Sequence, residues 1–247
     1  MSPRQVLLTQ TDAGTVASGL AVARDDLRQA ERLVHDVYVA RGLRSPASPS
    51  RLARAGHSTV FVARVGGAVA ATLSLLRDST RGLPADALYE AELAALRASG
   101  RRLAEVGGLA VAPHCRSAAL ALVRPLVQLV GVYARDLEGA DELCIAVHPR
   151  HATFYENRFG FTRFGAEKPY AAVNNAPAVG LRLDLHRPPL PDALSEALFR
   201  AGEIARVRAA LDADLRRHAA AAGPLMQILQ CTRPPDAVTR FVDMEVC

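Results

Sequence analysis

His151 and Tyr155 stand four residues apart in Pro149-Arg150-His151-Ala152-Thr153-Phe154-Tyr155. On a helix, that spacing puts an imidazole and a phenol on one face. The histidine is then either a base or substrate anchor that titrates near neutrality, or a capping side chain beside a packed aromatic. Glu105 sits in the apolar run Leu103-Ala104-Glu105-Val106-Gly107-Gly108-Leu109. A carboxylate buried there would have a raised pKa, which suits a base; an exposed one is an ordinary strand glutamate. Arg77 ends another apolar run, and its guanidinium could grip a carboxylate in two places or simply be solvated. Asn174-Asn175 could hold both the carboxylate and the amine of an amino acid, or serve as turn residues. Ser117, after Arg116, has the chemistry of a helix cap. The common theme is proton transfer beside a small charged ligand.

The elements that would carry these groups read as follows. Residues 1–18 show no clear pattern, and 19–24 alternate as a short strand. Asp25 or Asp26 would cap a helix whose Leu27, Ala30, Val34, Val37 and Tyr38 share a face, with Gly42 ending it. Residues 59–65 and 68–76 form a hairpin through Gly66-Gly67, whose backbones supply the positive φ of a tight turn. Pro84 opens a helix to about residue 99. A strand follows at 102–111, then a turn, then a long helix capped by Ser117 that ends near Arg135. Residues 143–147 form a buried strand, 150–158 a short helix, and 161–164 and 179–185 the last strands. Antiparallel meander and βαβ crossover together predict an α/β fold with a mixed central sheet flanked by helices. After Pro188-Pro189-Leu190-Pro191, helical periodicity over 192–222 predicts a C-terminal helical extension. The expected division is 1–186 and 187–247.

The chain has 247 residues, half of them hydrophobic, and a net charge of +5. It is long enough for a good core and too apolar for a disordered chain. The apolar stretch at 118–134 is interrupted by Arg124 and Pro125, so no membrane span is expected. No secretory leader is evident at the N-terminus, and the expected location is cytoplasmic. The four cysteines show no metal-ligand spacing, so no metal is expected and the thiols read as buried. The positive charge is arginine, Lys168 being the one lysine. It suits an acidic partner, yet no basic run with interleaved aromatics marks nucleic-acid binding.

The strand at 143–147, followed by Pro-Arg-His, Phe154-Tyr155, Gly160-Phe161 and then Pro169-Tyr170…Val173-Asn174-Asn175-Ala176-Pro177-Ala178-Val179, resembles the second half of a GNAT-type acyltransferase. The wording is similar to the long-chain N-acyl amino acid synthases of that superfamily, and more distantly to the acyl-homoserine-lactone synthases. The resemblance covers about 21–185 and implies a GNAT-like sheet and transfer of an acyl group from a pantetheine thioester to an amino-acid amine. It implies Glu105 as the base or acceptor-positioning carboxylate, with Gly108 where relatives often carry arginine. It implies Tyr155 as the acid for the leaving thiolate, and His151 as the alternative base. Val111, Arg116, Ser117 and Ala118 would bind the donor; Arg77, Tyr170 and Asn174 would bind the acceptor.

Ala119 stands where the family's phosphate loop has its first glycine. That departure favours the single phosphate of an acyl carrier protein over full coenzyme A, with no tightly bound cofactor. The alternatives implied are a coenzyme A-dependent acetyltransferase of the same fold, or a non-catalytic binding module. The expected partners are an acyl carrier protein and an amino acid or other small amine.

Overall fold

The computed structural model describes residues 7–11, 14–47, 58–187 and 201–222. Residues through Asp214 form one compact unit, and Leu215–Cys247 a second, of which the helical residues 215–222 are described.

An eight-stranded mixed sheet runs in the order β1-β2-β3-β4-β5-β6-β8-β7. The strands are β1 (Leu7–Thr11), β2 (Gly14–Leu20), β3 (Ser58–Val65), β4 (Ala68–Arg77), β5 (Leu103–Val111), β6 (Glu142–Val147), β7 (Thr162–Tyr170) and β8 (Ala176–Asp184). The helices are α1 (Arg24–Ala40), α2 (Asp86–Ala98), α3 (Ala119–Val132), α4 (Pro149–Phe159) and α5 (Ala201–Ala222). All neighbouring strands are antiparallel except β5 and β6.

The predicted hairpin is present, with Gly66 and Gly67 at φ of 58° and 87°. The strand expected at 19–24 lies earlier, as β2, and is joined to an edge strand β1. Neither Asp25 nor Asp26 caps α1. The N-cap is Ala23 with no side-chain bond, and Asp26 is instead drawn 2.6 Å from buried Arg64 across the β3 face. Ser117 does not cap α3 either. A 3-10 turn over Pro113–Ala118 delays the α-helix, leaving Ala118 as an N-cap without a side-chain bond. At its other end, α3 runs into a π-turn, Tyr133–Leu137.

One face of the sheet packs against α1, where Ala30 meets Val60 and Val62, and against α2, where Tyr89 and Leu93 meet Leu103 and Cys144. The other face, carrying Phe61, meets Tyr133 at the end of α3. The stretch Pro113–Leu137 reaches a mean hydropathy of 1.5 over eighteen residues, so it is long and apolar enough to cross a membrane; half of that window is buried inside the protein. Its apolarity is that of a core helix. Cys115 and Cys144 are free and buried, as expected; Cys231 and Cys247 lie outside the described residues. In α5, Val207 and Leu211 are buried; the part of the predicted extension at 192–200 lies outside the described residues.

The functional geometry comes from how β5 and β6 diverge. They pair at three rungs only, Leu103–Glu142, Ala104–Leu143 and Glu105–Cys144. Beyond Glu105 they continue to Val111 and Val147 unpaired and open a V. A bulge drives this. Ser74 faces Gly107 and Thr72 faces Ala110, so β5 carries one extra residue against β4. The extra residue is accommodated at Gly108, whose φ is 63°. Glycine adopts that left-handed backbone without strain, and such bulges bend and twist the strand. An arginine at 108 would be strained there.

Candidate active site

A cavity of ≈ 510 Å³ fills the V between β5 and β6. Its walls are Leu73 from β4, residues 106–111 of β5, Ile145 and Val147 of β6, and one face of α3. Ala119, Val123, Val127, Val130 and Gly131 recur on that face at helical spacing. The polar atoms gather at one end: Tyr38 and Arg41 from the end of α1, Arg116 before α3, His148, Arg150, His151 and Tyr155 around α4, and Tyr170 at the end of β7. No aspartate or glutamate lines the cavity among the described residues. Arg41, Arg116 and Arg150 are not paired with a carboxylate among the described residues. An apolar slot with a cationic rim matches a ligand with a long hydrocarbon part and anionic groups.

The α4 residues arrive as their spacing predicted. Pro149 occupies the first turn of α4, and His148 caps it by accepting from the Arg150 N–H at 3.2 Å. Gly160 ends it at φ 74°. Arg150 Nε donates to His151 Nε2 at 3.1 Å. Burial, then Arg150, Arg41 and His148, hold the His151 imidazole below its usual 6.5, so it is neutral at neutral pH. Tyr155 is half-buried, with its ring edge-on to Phe161 and Phe154. Burial pushes its hydroxyl up to about 12, so it is a proton donor and not a phenolate.

Glu105 sits at the vertex of the V, on the last rung that joins β5 to β6. It is 6% exposed and does not line the cavity. Its Oε2 accepts from the Ala85 N–H at 2.8 Å, at the N-cap of α2. Burial raises the carboxyl to about 7; the Ala85 bond opposes this and Asp86 adds to it. Tyr170, which does line the cavity, donates from its hydroxyl to the Pro84 carbonyl at 3.2 Å.

Of the expected donor residues, Val111 and Arg116 line the cavity, as does Ala119. Ser117 and Ala118 do not, because the 3-10 turn carries them past its wall. Of the expected acceptor residues, Tyr170 lines it, whereas Arg77 and Asn174 do not. Arg77 pairs with Ala104, on the closed side of the vertex, and is bound to Glu138 at 2.9 Å. Asn174 sits in a left-handed turn (φ 59°) and donates to the Gly42 carbonyl at 3.1 Å. It thereby ties the β7–β8 turn to the end of α1 beside Arg41. Sequence reasoning missed Arg41 and the bulge at Gly108. A pair of glycines inside a strand was the available signal for a bulge; nothing local singled out Arg41 among so many arginines.

Residues 29–184 match the family model of the N-acyl amino acid synthase FeeM. The solved structure of FeeM, an N-acyl amino acid synthase from uncultured soil microbes, is 33% identical, with a TM-score of 0.63 over 70% of this chain and 91% of that one. The acyl-homoserine lactone synthase BjaI is 21% identical, with a TM-score of 0.53 over 78% and 97%. An acyl-CoA N-acyltransferase from Pseudomonas aeruginosa is 16% identical, with a TM-score of 0.47 over 68% and 97%. None of the curated proteins matches the chain. With its GNAT fold and the matching family model, the chain belongs to the FeeM family of N-acyl amino acid synthases and is an acyltransferase.

Proposed function

We propose that this enzyme moves a long-chain acyl group from the phosphopantetheine arm of an acyl carrier protein to the amine of an amino acid. The observation that carries this reading is the cavity: ≈ 510 Å³, apolar along α3, cationic at its mouth. An acetyl group would leave most of that volume empty. Arg41, Arg116 and Arg150 at the rim, without a carboxylate partner among the described residues, suit the donor phosphate and the acceptor carboxylate together. Ala119 puts a methyl on the cavity wall where close backbone approach to a pyrophosphate would need glycine. A carrier-bound arm has one phosphate, and the net charge of +5 suits an acidic carrier.

In the reaction, the amine nitrogen attacks the thioester carbonyl carbon, the C–S bond breaks, and the thiolate takes a proton. His151, neutral and on the cavity wall, takes the proton from the acceptor ammonium at Nε2, where the ammonium displaces the Arg150 donor. Tyr155 donates to the departing sulfur and regains a proton from the nitrogen as the amide forms, so that one thiol and one proton, the one His151 carries, are released per amide made. Arg41 replaces Arg77 as the proposed partner of the acceptor carboxylate, with Tyr170 beside it. Glu105 acts as a positioning residue through the peptide it shares with Tyr170. Lipid extracts of cells expressing the protein test this reading: N-acyl amino acids appear, and vanish with the His151→Gln, Tyr155→Phe double variant. Extracts identical with and without the protein would overturn it.

A further inference from the structure

Val127 and Gly131 border two cavities. From Ala119 to Gly131 the lining face of α3 runs ~18 Å at the rise of an α-helix, from the polar mouth to the apolar far end. Beyond lies a second, small cavity of ≈ 10 Å³. Val127 and Gly131 line both. The outer wall of the small cavity includes Leu185 and Ile204, the latter on α5. That part of α5 is fixed in place: Val207 and Leu211 are buried, and Arg208 reaches Asp136 of the π-turn at 3.4 Å.

Gly131 has no packing reason to be glycine. A Cβ placed on it meets no atom within 4 Å, and glycine inside a helix is less stable than alanine. The space in front of it is open, and Gly131 borders both cavities.

We propose that Gly131 is the gate that sets acyl-chain length. A long chain passes its bare backbone, and its methyl end lodges against Ile204 under α5. This rests on the reading of the main cavity as an acyl site, and it gives the C-terminal helix the role of end wall. A larger side chain at 131 shortens the slot; a smaller one at 204 lengthens it. Val127, Val132, Leu185 and Ile204 give the small cavity an apolar wall for a hydrocarbon end; of the two polar side chains that also line it, Gln128 and Arg135, the arginine is held by Asp136 at 2.6 Å.

The test is competition of fatty acids, decanoic to octadecanoic, against a fluorescent fatty acid on the full chain, alongside transfer from the matching acyl thioesters. Gly131→Leu is expected to raise the decanoic-to-octadecanoic affinity ratio about tenfold or more, the scale set by methylenes that no longer fit. Ile204→Ala is expected to move the ratio the other way, and it decides the matter should Gly131→Leu not fold. Ratios unchanged in the variants that fold would overturn the gate. Transfer by the wild type with unshifted ratios sinks the gate alone. Shifted ratios in a protein that transfers none of these acyl groups sink the proposed long-chain transfer and keep the gate.

Discussion

Tyr170 and Glu105 hold the two ends of one peptide group. The Tyr170 hydroxyl donates to the Pro84 carbonyl at 3.2 Å, and the Ala85 N–H of the same peptide donates to Glu105 at 2.8 Å. A cavity residue is thereby joined to the buried carboxylate at the vertex of the V. A charge on Glu105 polarises the peptide and strengthens its hold on Tyr170.

Glu105 makes stability fall as pH rises. Its carboxyl moves from the usual 4.5 to about 7 on folding, so the folded state binds the proton more tightly. The contribution is complete below 4.5, is lost as pH rises to about 7, and is flat above. The full change is about 3 kcal/mol, at about 1.4 kcal/mol per tenfold change in proton affinity. Most of it falls between pH 5 and 8. Urea unfolding at those two values is expected to show the loss in the wild type and not in Glu105→Gln, whose amide still accepts from Ala85. Equal pH dependence in both proteins would contradict the burial of an ionisable Glu105.

The pH profile of kcat/KM, which reports groups of the free enzyme, separates the two candidate bases. With His151 as proton acceptor, the acid limb lies below 6.5, because its imidazole is held below its usual value. Glu105→Gln leaves that limb in place, and His151→Gln lowers kcat about a hundredfold or more, the usual worth of a positioned base. A limb near 7 that disappears in Glu105→Gln would instead make the vertex carboxylate the base.

Tyr155→Phe keeps the ring packed against Phe161 and removes the proton donor. Transfer from an alkyl thioester is expected to fall about a hundredfold. Transfer from an aryl thioester, whose thiolate leaves without help, is expected to fall much less. Equal losses with both donors would assign Tyr155 to packing alone.

Much of this site is readable in the chain, and the exceptions have physical causes. His151 and Tyr155 share a face of α4 because helical spacing is local, whereas Val111, Arg116 and Tyr170 come only from the resemblance to the synthase family. Arg77 fails because a strand's far end cannot be told from its near end until the sheet is assembled; there it meets Glu138. Glu105 reads equally as exposed or buried, since α2, which covers it, comes from a separate segment. β1 and β7 lie at the two edges of the sheet, where alternation is weakest. β7 runs on through polar Glu167-Lys168-Pro169, which an edge strand tolerates and a central one does not.

The core beneath the site depends on Tyr89. Its hydroxyl lies 2.9 and 3.0 Å from the Ala166 and Ala178 carbonyls, which share its one proton, and its ring lies edge-on to Phe164. Tyr89→Phe leaves both carbonyls without that donor, at a cost of about 1–3 kcal/mol. Tyr89→Ala also opens a cavity, at about 3–5 kcal/mol. Denaturant midpoints in that order are expected; a neutral Tyr89→Phe would show the carbonyls find other donors.

The most direct test of the acyl-transfer account uses the purified protein, a hexadecanoyl carrier protein and a mixture of amino acids, with products read by mass spectrometry. The account predicts an N-hexadecanoyl amino acid with matching release of the carrier thiol. An intact hexadecanoyl thioester alongside rapid consumption of acetyl-coenzyme A would contradict it.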